Sequence, residues 1–354
     1  MDIINDGHSV GLEKEFYIVN HGRNGHLHLG EEMGIASGIG NRMRAEMGAY
    51  DDEVGPKAYL DASGPMEVVT RPCTDLNQLT NDITTAYDIA QEVVEAHGKY
   101  ALGMGTRPGA SDDKAGLHVH VGYSDEAEAE YVFTVLKHHV PEIMALSANS
   151  PNKDGTIKDM RAANRSYGQR YSPFSTTSNE SVIKKRNNTL EVRCMDSQGT
   201  AEEDAAIGAY ILGIAEKAKI DYANGEGVSD RFGDDIKNHE EAIKDGMAAT
   251  FTYDDETKAV QDVAQDTFVA ILPYLRQYDC PDEVVGILAD KIVRGRSGAD
   301  DILDIYAEHR PHGFMETLAF PFTFWSRRKA LYNDLAHQRE WKAKERERSD
   351  NGGA

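Results

Sequence analysis

The sequence predicts an α+β fold built on a largely antiparallel sheet. Amphipathic helices and short alternating strands are interspersed along its 354 residues, without the regular glycine-rich turns of a nucleotide-binding parallel sheet. The composition, 40% hydrophobic and 28% charged, is typical of a globular protein, and the length allows one large domain or two smaller ones. These observations exclude a fibrous chain and a disulfide-stapled miniprotein.

Four long segments have apolar residues at steps of three and four, the spacing of an amphipathic helix. In the first segment, Leu76, Leu79 and Ile83 recur on one face, Asp75 or Thr74 precedes them as a cap, and a glycine follows as a stop. The predicted helices cover residues 75–97, 126–147, 201–224 and 256–278, with shorter helical pieces up to residue 309.

Between the helices, five short runs alternate apolar and polar residues and are predicted strands. They cover residues 11–19, 65–70, 100–104, 117–123 and 189–195. We expect residues 1–325 to form a single domain. Residues 326–354, which are rich in Arg, Lys and Glu, are expected to form a charged, exposed helix with a disordered end.

The net charge of the chain indicates which classes of partner it disfavours. Lys and Arg number 38 against 60 Asp and Glu, a formal net charge of −22, which disfavours nucleic acid because its phosphates would be repelled. Such an acidic surplus also resembles the surfaces of proteins from a salt-rich cytoplasm, where ions screen the self-repulsion. We therefore expect an acidic, halophilic protein.

The cysteines and the apolar segments predict the compartment. The chain has three widely spaced cysteines, Cys73, Cys194 and Cys280, which form neither a CxxC pair nor a zinc pattern. No export signal or bilayer-length apolar run is visible. We expect a cytoplasmic protein without a membrane partner.

Four of the predicted strands carry a polar stripe opposite an apolar face. Because side chains alternate across a strand, residues i and i+2 share a face about 7 Å apart. In the first strand, Lys14 lies on the apolar face and is the exception to this pattern. The side chains on the polar faces are Glu13 and Glu15, then Glu67, then His118 and His120, and finally Glu191 and Arg193.

If these stripes face one cavity, four carboxylates and two imidazoles meet on a sheet backed by an apolar core. Unpaired carboxylates held together at low dielectric take up protons or cations. Oxygen-rich sites with an occasional His suit Mg²⁺, or alternatively Mn²⁺, and Mg²⁺ held this way usually also binds substrate phosphates. The pattern therefore predicts a divalent-metal nucleotide site. For any one strand the alternative is a solvated outer face, or a surface ion pair between Glu191 and Arg193.

At these residues the sequence resembles glutamate-cysteine ligase family 2, including the carboxylate-amine ligases grouped with it. Similar motifs follow in order along residues 9–310, and the order is more specific than any single motif. They are GLEKEFYIV (11–19), MEVVTRPCTDL (66–76), GTRP (105–108), GLHVHVG (116–122), ALSANSP (145–151), NTLEVRCMDSQGTAEEDAAIGA (188–209) and SGADDI (297–302).

The resemblance implies a glutamine synthetase-like fold, in which a curved, mainly antiparallel sheet forms an active-site funnel with helices on its outer face. It implies that residues 1–325 are a catalytic domain using ATP and Mg²⁺. In such enzymes ATP phosphorylates a carboxylate, typically the γ-carboxyl of glutamate, and an amine displaces the phosphate to give an amide. The metal ions would act by positioning and electrostatics more than by acid-base chemistry.

The resemblance also implies roles for individual residues. Glu13, His118 and Glu191 match ligands of the metal beside the transferring phosphate, and Glu15 and Glu67 match ligands on the amino-acid side. Arg193 and Glu191 are the expected catalytic residues, Arg193 by stabilising phosphoryl charge. His120, Arg107 and Arg165 are expected to bind substrate, with Arg161 as an alternative cation. Leu60 stands where an acidic partner is expected, and Asp61 is one step away.

Three functions remain open at this stage. The first is a ligase making a γ-glutamyl amide from amino-acid substrates and ATP, with cysteine as one candidate amine. The second is the same chemistry on another carboxylate or on a polymer-borne amine, because residues 152–187 depart from the family pattern. The third is a catalytically silent binding protein. The aromatic segment at 318–325 either packs internally or faces a partner, so a homodimer is an open alternative.

Overall fold

The computed structural model describes residues 7–20, 29–48, 57–60, 65–105, 115–150, 152–153, 156–157, 181–185, 187–228, 235–253 and 256–308. The expectations for residues 318–325 and for the tail at 326–354 lie outside this range, as do those for Asp61, Arg107, Arg161 and Arg165.

Antiparallel pairing organises all the strands of the described chain. In chain order they are β1 (Val10–Asn20), β2 (Lys57–Leu60), β3 (Met66–Val69), β4 (Lys99–Leu102), β5 (Gly116–Gly122), β6 (Asn152–Lys153), β7 (Thr156–Ile157), β8 (Ser181–Lys184), β9 (Thr189–Asp196), β10 (Thr250–Tyr253) and β11 (Glu256–Ala259). The main sheet has the order β2-β3-β1-β5-β9-β8, with β4 also paired to β1, while β6-β7 and β10-β11 are separate two-stranded sheets.

Strand β1 joins the parts of the main sheet. Its first half pairs with β3 on one edge and β5 on the other, and its last four residues pair with β4. The register places Glu13 opposite His118 and Glu15 opposite Glu67. The polar stripes of separate segments thus become neighbours on one face.

The helices follow the 3.6-residue periodicity of their apolar positions. They are α1 (Leu29–Met47), α2 (Leu76–Ala96), α3 (Glu126–Ser147), α4 (Ala201–Ala223), α5 (Asp235–Asp245), α6 (Val260–Gln277), α7 (Asp282–Arg294) and α8 (Gly298–Glu308). Asp75 caps α2 by accepting a hydrogen bond from the backbone of Gln78, and Thr200 and Glu203 form a capping box at the start of α4.

Helix α4 is the centre of the helical layer. It packs against α2, α3, α6 and α7 and against strands β1 and β5, and most of its residues are buried. A Cβ on Gly213 would lie 2.9 Å from the Cβ of Ile271, so glycine allows α6 to approach closely. A helix that is buried on most of its sides is expected at the interior of a domain.

The core lies between the helices and the apolar face of the sheet. Leu12, Phe16, Val119 and Val192 are completely buried there and belong to one hydrophobic cluster with residues of α1 to α4. Burial of this face supplies the main driving force of folding and turns the alternate polar side chains away from the helices. Among the described helices, none is both long and apolar enough to cross a membrane.

Lys14 is a charged residue that is buried on the apolar face of β1. Its ammonium donates to Asp204 Oδ2 at 2.5 Å and to the carbonyl of Gln198 at 2.8 Å, and it lies 4.4 Å from the ring centroid of Tyr87. Burial raises the pKa of Asp204 to about 6, against the opposing effects of the Lys14 charge and its hydrogen bond. The pair links β1 to the first turn of α4.

The α+β class and the mainly antiparallel sheet are confirmed, and the predicted strands and most predicted helices lie within a few residues of their positions. The helix predicted over 256–278 begins only at 260, because residues 256–259 pair with 250–253 as β11. Helix α1 was not predicted, since its four glycines lower helix propensity and weaken the pattern.

We predict that Lys14→Met lowers the free energy of unfolding by about 3–5 kcal/mol, because it leaves the carboxylate of Asp204 buried without its cation. The measurement is urea unfolding followed by circular dichroism at pH 7. The double variant Lys14→Met with Asp204→Leu removes both charges and should recover most of the loss. A single variant as stable as the double one would show that the ion pair does not hold the sheet to α4.

Candidate functional site

The polar stripes of four strands meet on the sheet face opposite the helices. The side chains brought together are Glu13, Glu15, Glu67, His118, His120, Glu191 and Arg193. The other site residues predicted from the sequence, Asp61, Arg107, Arg161 and Arg165, lie outside the described residues.

Glu13 is held by the two histidines of β5. His118 Nδ1 lies 2.8 Å from Glu13 Oε2, and His120 Nε2 lies 3.1 Å from Glu13 Oε1. Burial acts to raise the pKa of Glu13, but the hydrogen bond with His118, the close approach of His120 and the charges of both imidazoles together lower it well below its ordinary value. Glu13 is therefore an ionised carboxylate throughout the physiological range.

Glu191 is buried at the centre of the face, with 2% of its side chain exposed. Arg193 Nε lies 3.4 Å from its Oε1, His118 Nδ1 lies 3.6 Å from the same oxygen, and Lys184 Nζ lies 2.7 Å from Oε2. Although this lysine is close, Oε2 receives no aligned hydrogen bond within the described part of the chain. One oxygen of a buried carboxylate is therefore incompletely satisfied.

Glu15 and Glu67 form the second carboxylate pair, facing each other across β1 and β3. Glu15 accepts a hydrogen bond from the backbone of Gly116 at 2.6 Å, and its other oxygen lies 3.8 Å from His118 Nε2. Tyr59, on β2, donates to Glu67 at 2.8 Å. Both carboxylates are almost fully buried, so their negative charges are poorly screened by solvent.

The geometry fits a divalent cation. Glu13, His120 and Glu191 each offer a ligand atom, and these atoms all lie within 4.8 Å of one another. His120 Nε2 and Glu191 Oε2 are both buried atoms without an aligned hydrogen bond among the described residues. Carboxylate oxygens with one imidazole suit Mg²⁺ or Mn²⁺. His120, expected as a substrate contact, thus joins the cluster, while His118 lies among Glu13, Glu15 and Glu191.

A bulge in β9 orients the end of this site. Leu117 pairs with Met195 and Val119 with Val192, so one residue of β5 faces two of β9, Arg193 and Cys194. Cys194 and Met195 are consequently both buried in the core, whereas Arg193 keeps 40% of its side chain exposed beside Glu191. The bulge leaves a guanidinium open to a ligand next to the buried carboxylate.

A buried polar layer fixes the end of β9 where several motifs of the sequence meet. Asn149 donates its backbone N–H to Asp196 at 2.9 Å and its side chain to the carbonyl of Ser197 at 2.5 Å. A Cβ on Gly105 would lie 2.1 Å from Asp196 Oδ1, which explains glycine at this position. Buried hydrogen bonds of this kind rigidify their surroundings, so this layer holds the strand that carries Glu191.

Tyr59 and Lys184 are site residues that sequence reasoning missed. Both lie on edge strands of four residues, KAYL at 57–60 and SVIK at 181–184, which were not predicted. In each of these strands the only sequence signal is an alternation of apolar and polar residues, and over four residues this alternation is too weak to predict a strand.

The comparisons with known proteins agree with this picture. The sequence profile of glutamate-cysteine ligase family 2 matches residues 9–115 and 113–167. A protein of Frankia casuarinae, whose name carries glutamate-cysteine ligase 2-1 as a provisional assignment, is 26% identical over 169 residues, 40% of this chain and 42% of that protein. A glutamate-cysteine ligase of Haloquadratum walsbyi is 29% identical over 140 residues, 32% of this chain and 39% of that protein. The chain thus spans less than half the length of these two relatives.

The fold has a relative among solved structures. The chain superposes on the ligase PafA, solved in complex with the prokaryotic ubiquitin-like protein Pup, with a TM-score of 0.55 over 86% of this chain and 67% of that one. At 15% identity this likeness concerns the fold, and it supports the glutamine synthetase-like class. With the profile match and the named relatives, it confirms the resemblance that the motifs carry to glutamate-cysteine ligase family 2, whose profile matches residues 9–167 of this chain.

Proposed function

We propose that the protein is an ATP- and Mg²⁺-dependent ligase that joins a carboxylate to an amine. The observation that carries the proposal is the cluster of Glu13, His120 and Glu191 on one sheet face, beside Arg193, whose side chain is 40% exposed. The family match and the names of the relatives support the same chemistry.

The chain offers a distinct group for each task of such a reaction. Glu13, His120 and Glu191 would hold one metal ion, with His118 orienting Glu13 and Glu191, and Glu15 and Glu67 would hold a second on the amino-acid side. Bound Mg²⁺ would neutralise and align the phosphates of ATP. Arg193 would donate hydrogen bonds to the phosphoryl group as it moves, because its guanidinium carries several N–H donors on one rigid plane.

The proposed reaction has two displacements. A carboxylate oxygen of the first substrate attacks the γ-phosphorus of ATP, the bond to the β-phosphate oxygen breaks, and ADP leaves. The amine then attacks the acyl carbon, phosphate leaves with the electrons of the acyl C–O bond, and the amine loses a proton. The buried face contributes chiefly by positioning both substrates away from bulk water.

The favoured substrates are the γ-carboxyl of glutamate and an amino-acid amine such as cysteine, which the names of the relatives support. A protein-borne carboxylate or amine is the second candidate, since the fold neighbour PafA was solved in complex with Pup. A silent binding protein is disfavoured because Glu13, Glu15, His118, Glu191 and Arg193 are retained together on one face.

We further propose a cytoplasmic protein adapted to salt. The net charge is −22, and relatives come from Haloquadratum walsbyi and Halobacterium salinarum, the latter 49% identical over 41 residues, 12% of this chain and 11% of that protein. Cys73, Cys194 and Cys280 form no disulfide bond, as a reducing compartment would keep them.

We predict that Glu191→Gln abolishes phosphate release from ATP while leaving the unfolding midpoint close to that of the native chain. The amide keeps the volume of the side chain but removes the charge that a metal ion needs. The assay is Mg²⁺-dependent phosphate release, screened over glutamate and other carboxylates with and without amines. Glu46→Gln, an exposed change on α1, is the matched control.

The substrate requirement in this assay separates the candidates. Release that needs both glutamate and cysteine supports the γ-glutamyl reaction, and release that needs a protein carboxylate or amine supports the second candidate. No release with any pair, in low or high salt, contradicts a ligase function. Unchanged release by Glu191→Gln would remove Glu191 from the site.

We predict that the thermal midpoint rises by about 5 °C or more between 0.1 and 2 M KCl, because the added salt shortens the Debye length from about 10 Å to less than about 3 Å and screens the repulsion of the acidic surface. The measurement is the unfolding transition by circular dichroism at several KCl concentrations. A midpoint that stays constant or falls as KCl increases would contradict adaptation to salt.

A further inference from the structure

Lys184 lies at the open edge of the candidate site. It is the last residue of β8, the edge strand, and its Nζ is 2.7 Å from Glu191 Oε2. Its side chain is 41% exposed, against 2% for Glu191. Arg193 approaches the other oxygen of the same carboxylate at 3.4 Å. Each oxygen of Glu191 therefore lies near a cationic side chain that is about 40% exposed.

This contact differs from an ordinary surface ion pair. The next residue, Lys185, forms such a pair with Glu126 at 3.0 Å, and both of those side chains are about 70% exposed. Lys184 instead neutralises a buried carboxylate that belongs to the candidate metal cluster. Its contact is close but not aligned as a hydrogen bond, since Glu191 Oε2 has no such bond in the described part of the chain.

A lysine ammonium and a divalent cation cannot both occupy the same side of one carboxylate oxygen. When a metal ion binds Glu191, its charge repels the ammonium of Lys184. A lysine side chain is flexible and strongly hydrated, and that of Lys184 is already 41% exposed, so it can move without unfolding β8. The nearest new source of negative charge would be the phosphates that arrive with the metal.

We propose that Lys184 is an exchangeable counter-ion of the site. It neutralises Glu191 while no metal is bound, and it transfers to a phosphate oxygen of the nucleotide when the metal takes Glu191. The second half of this proposal rests on the proposed ligase function, whereas the competition with the metal does not. The expected signature is opposite in sign for the two ligands: Lys184 weakens binding of the metal alone and strengthens binding of the nucleotide.

The test compares Lys184→Met with Lys185→Met, the matched control one residue away. Mn²⁺ binding without nucleotide is measured by electron paramagnetic resonance, and binding of a non-hydrolysable ATP analogue is then measured by calorimetry at saturating Mn²⁺. We expect Lys184→Met to bind Mn²⁺ about tenfold more tightly and the analogue about tenfold more weakly, each corresponding to about 1.4 kcal/mol. Lys185→Met should match the native chain in both measurements.

Two further variants keep the result decisive. Lys184→Gln replaces Lys184→Met if the latter unfolds, and Glu191→Gln reports where the Mn²⁺ binds. Equal or weaker Mn²⁺ binding without the lysine charge overturns the counter-ion proposal, and unchanged analogue binding overturns the transfer to phosphate. If Glu191→Gln binds Mn²⁺ as the native chain does, the metal lies elsewhere, and both this proposal and the proposed metal site fail.

Discussion

The constraint on which the structure depends is the accumulation of carboxylates on one buried face of a sheet. Glu15, Glu67 and Glu191 are at most 3% exposed, and Glu13 lies among them with two imidazoles. Like charges at this density are unfavourable unless cations or hydrogen bonds compensate them. The histidines of β5, the guanidinium after Glu191 and the lysine of the edge strand each supply part of that compensation. A divalent cation would supply the rest.

Packing of the opposite, apolar face of the same sheet explains why the fold is stable with its carboxylates on one face. Its apolar side chains pack on the helices, so turning a strand over would expose this core as well as displace the carboxylates. The buried pair of Lys14 and Asp204 ties β1 to α4, and the polar layer around Asn149 fixes the end of β9. The positions of the site residues are thus set by the stability of the domain, and the bulge at Arg193 is the local departure that exposes a cation.

The sequence allowed the polar face to be predicted because alternation in a strand is a local property. It identified Glu13, Glu15, Glu67, His118, His120, Glu191 and Arg193, all of which the fold brings to one face. It could not predict the features that depend on how strands distant in the sequence pair with one another. The position of His120 beside Glu13 follows from the register of β1 and β5, and the bulge follows from the register of β5 and β9.

Lys184 and Tyr59 were missed because strands of four residues give little periodic signal. The strand at residues 256–259 was predicted as helix because its strand conformation depends on the partner strand at 250–253.

The most direct test of the central claim is to locate the metal itself. Crystals grown with Mn²⁺ and a non-hydrolysable ATP analogue would give an anomalous difference map at the manganese absorption edge. The account predicts a peak within coordination distance of Glu13, His120 and Glu191, with the phosphates of the analogue beside it. A peak elsewhere, or full occupancy of the analogue with no manganese on this face, would contradict the account.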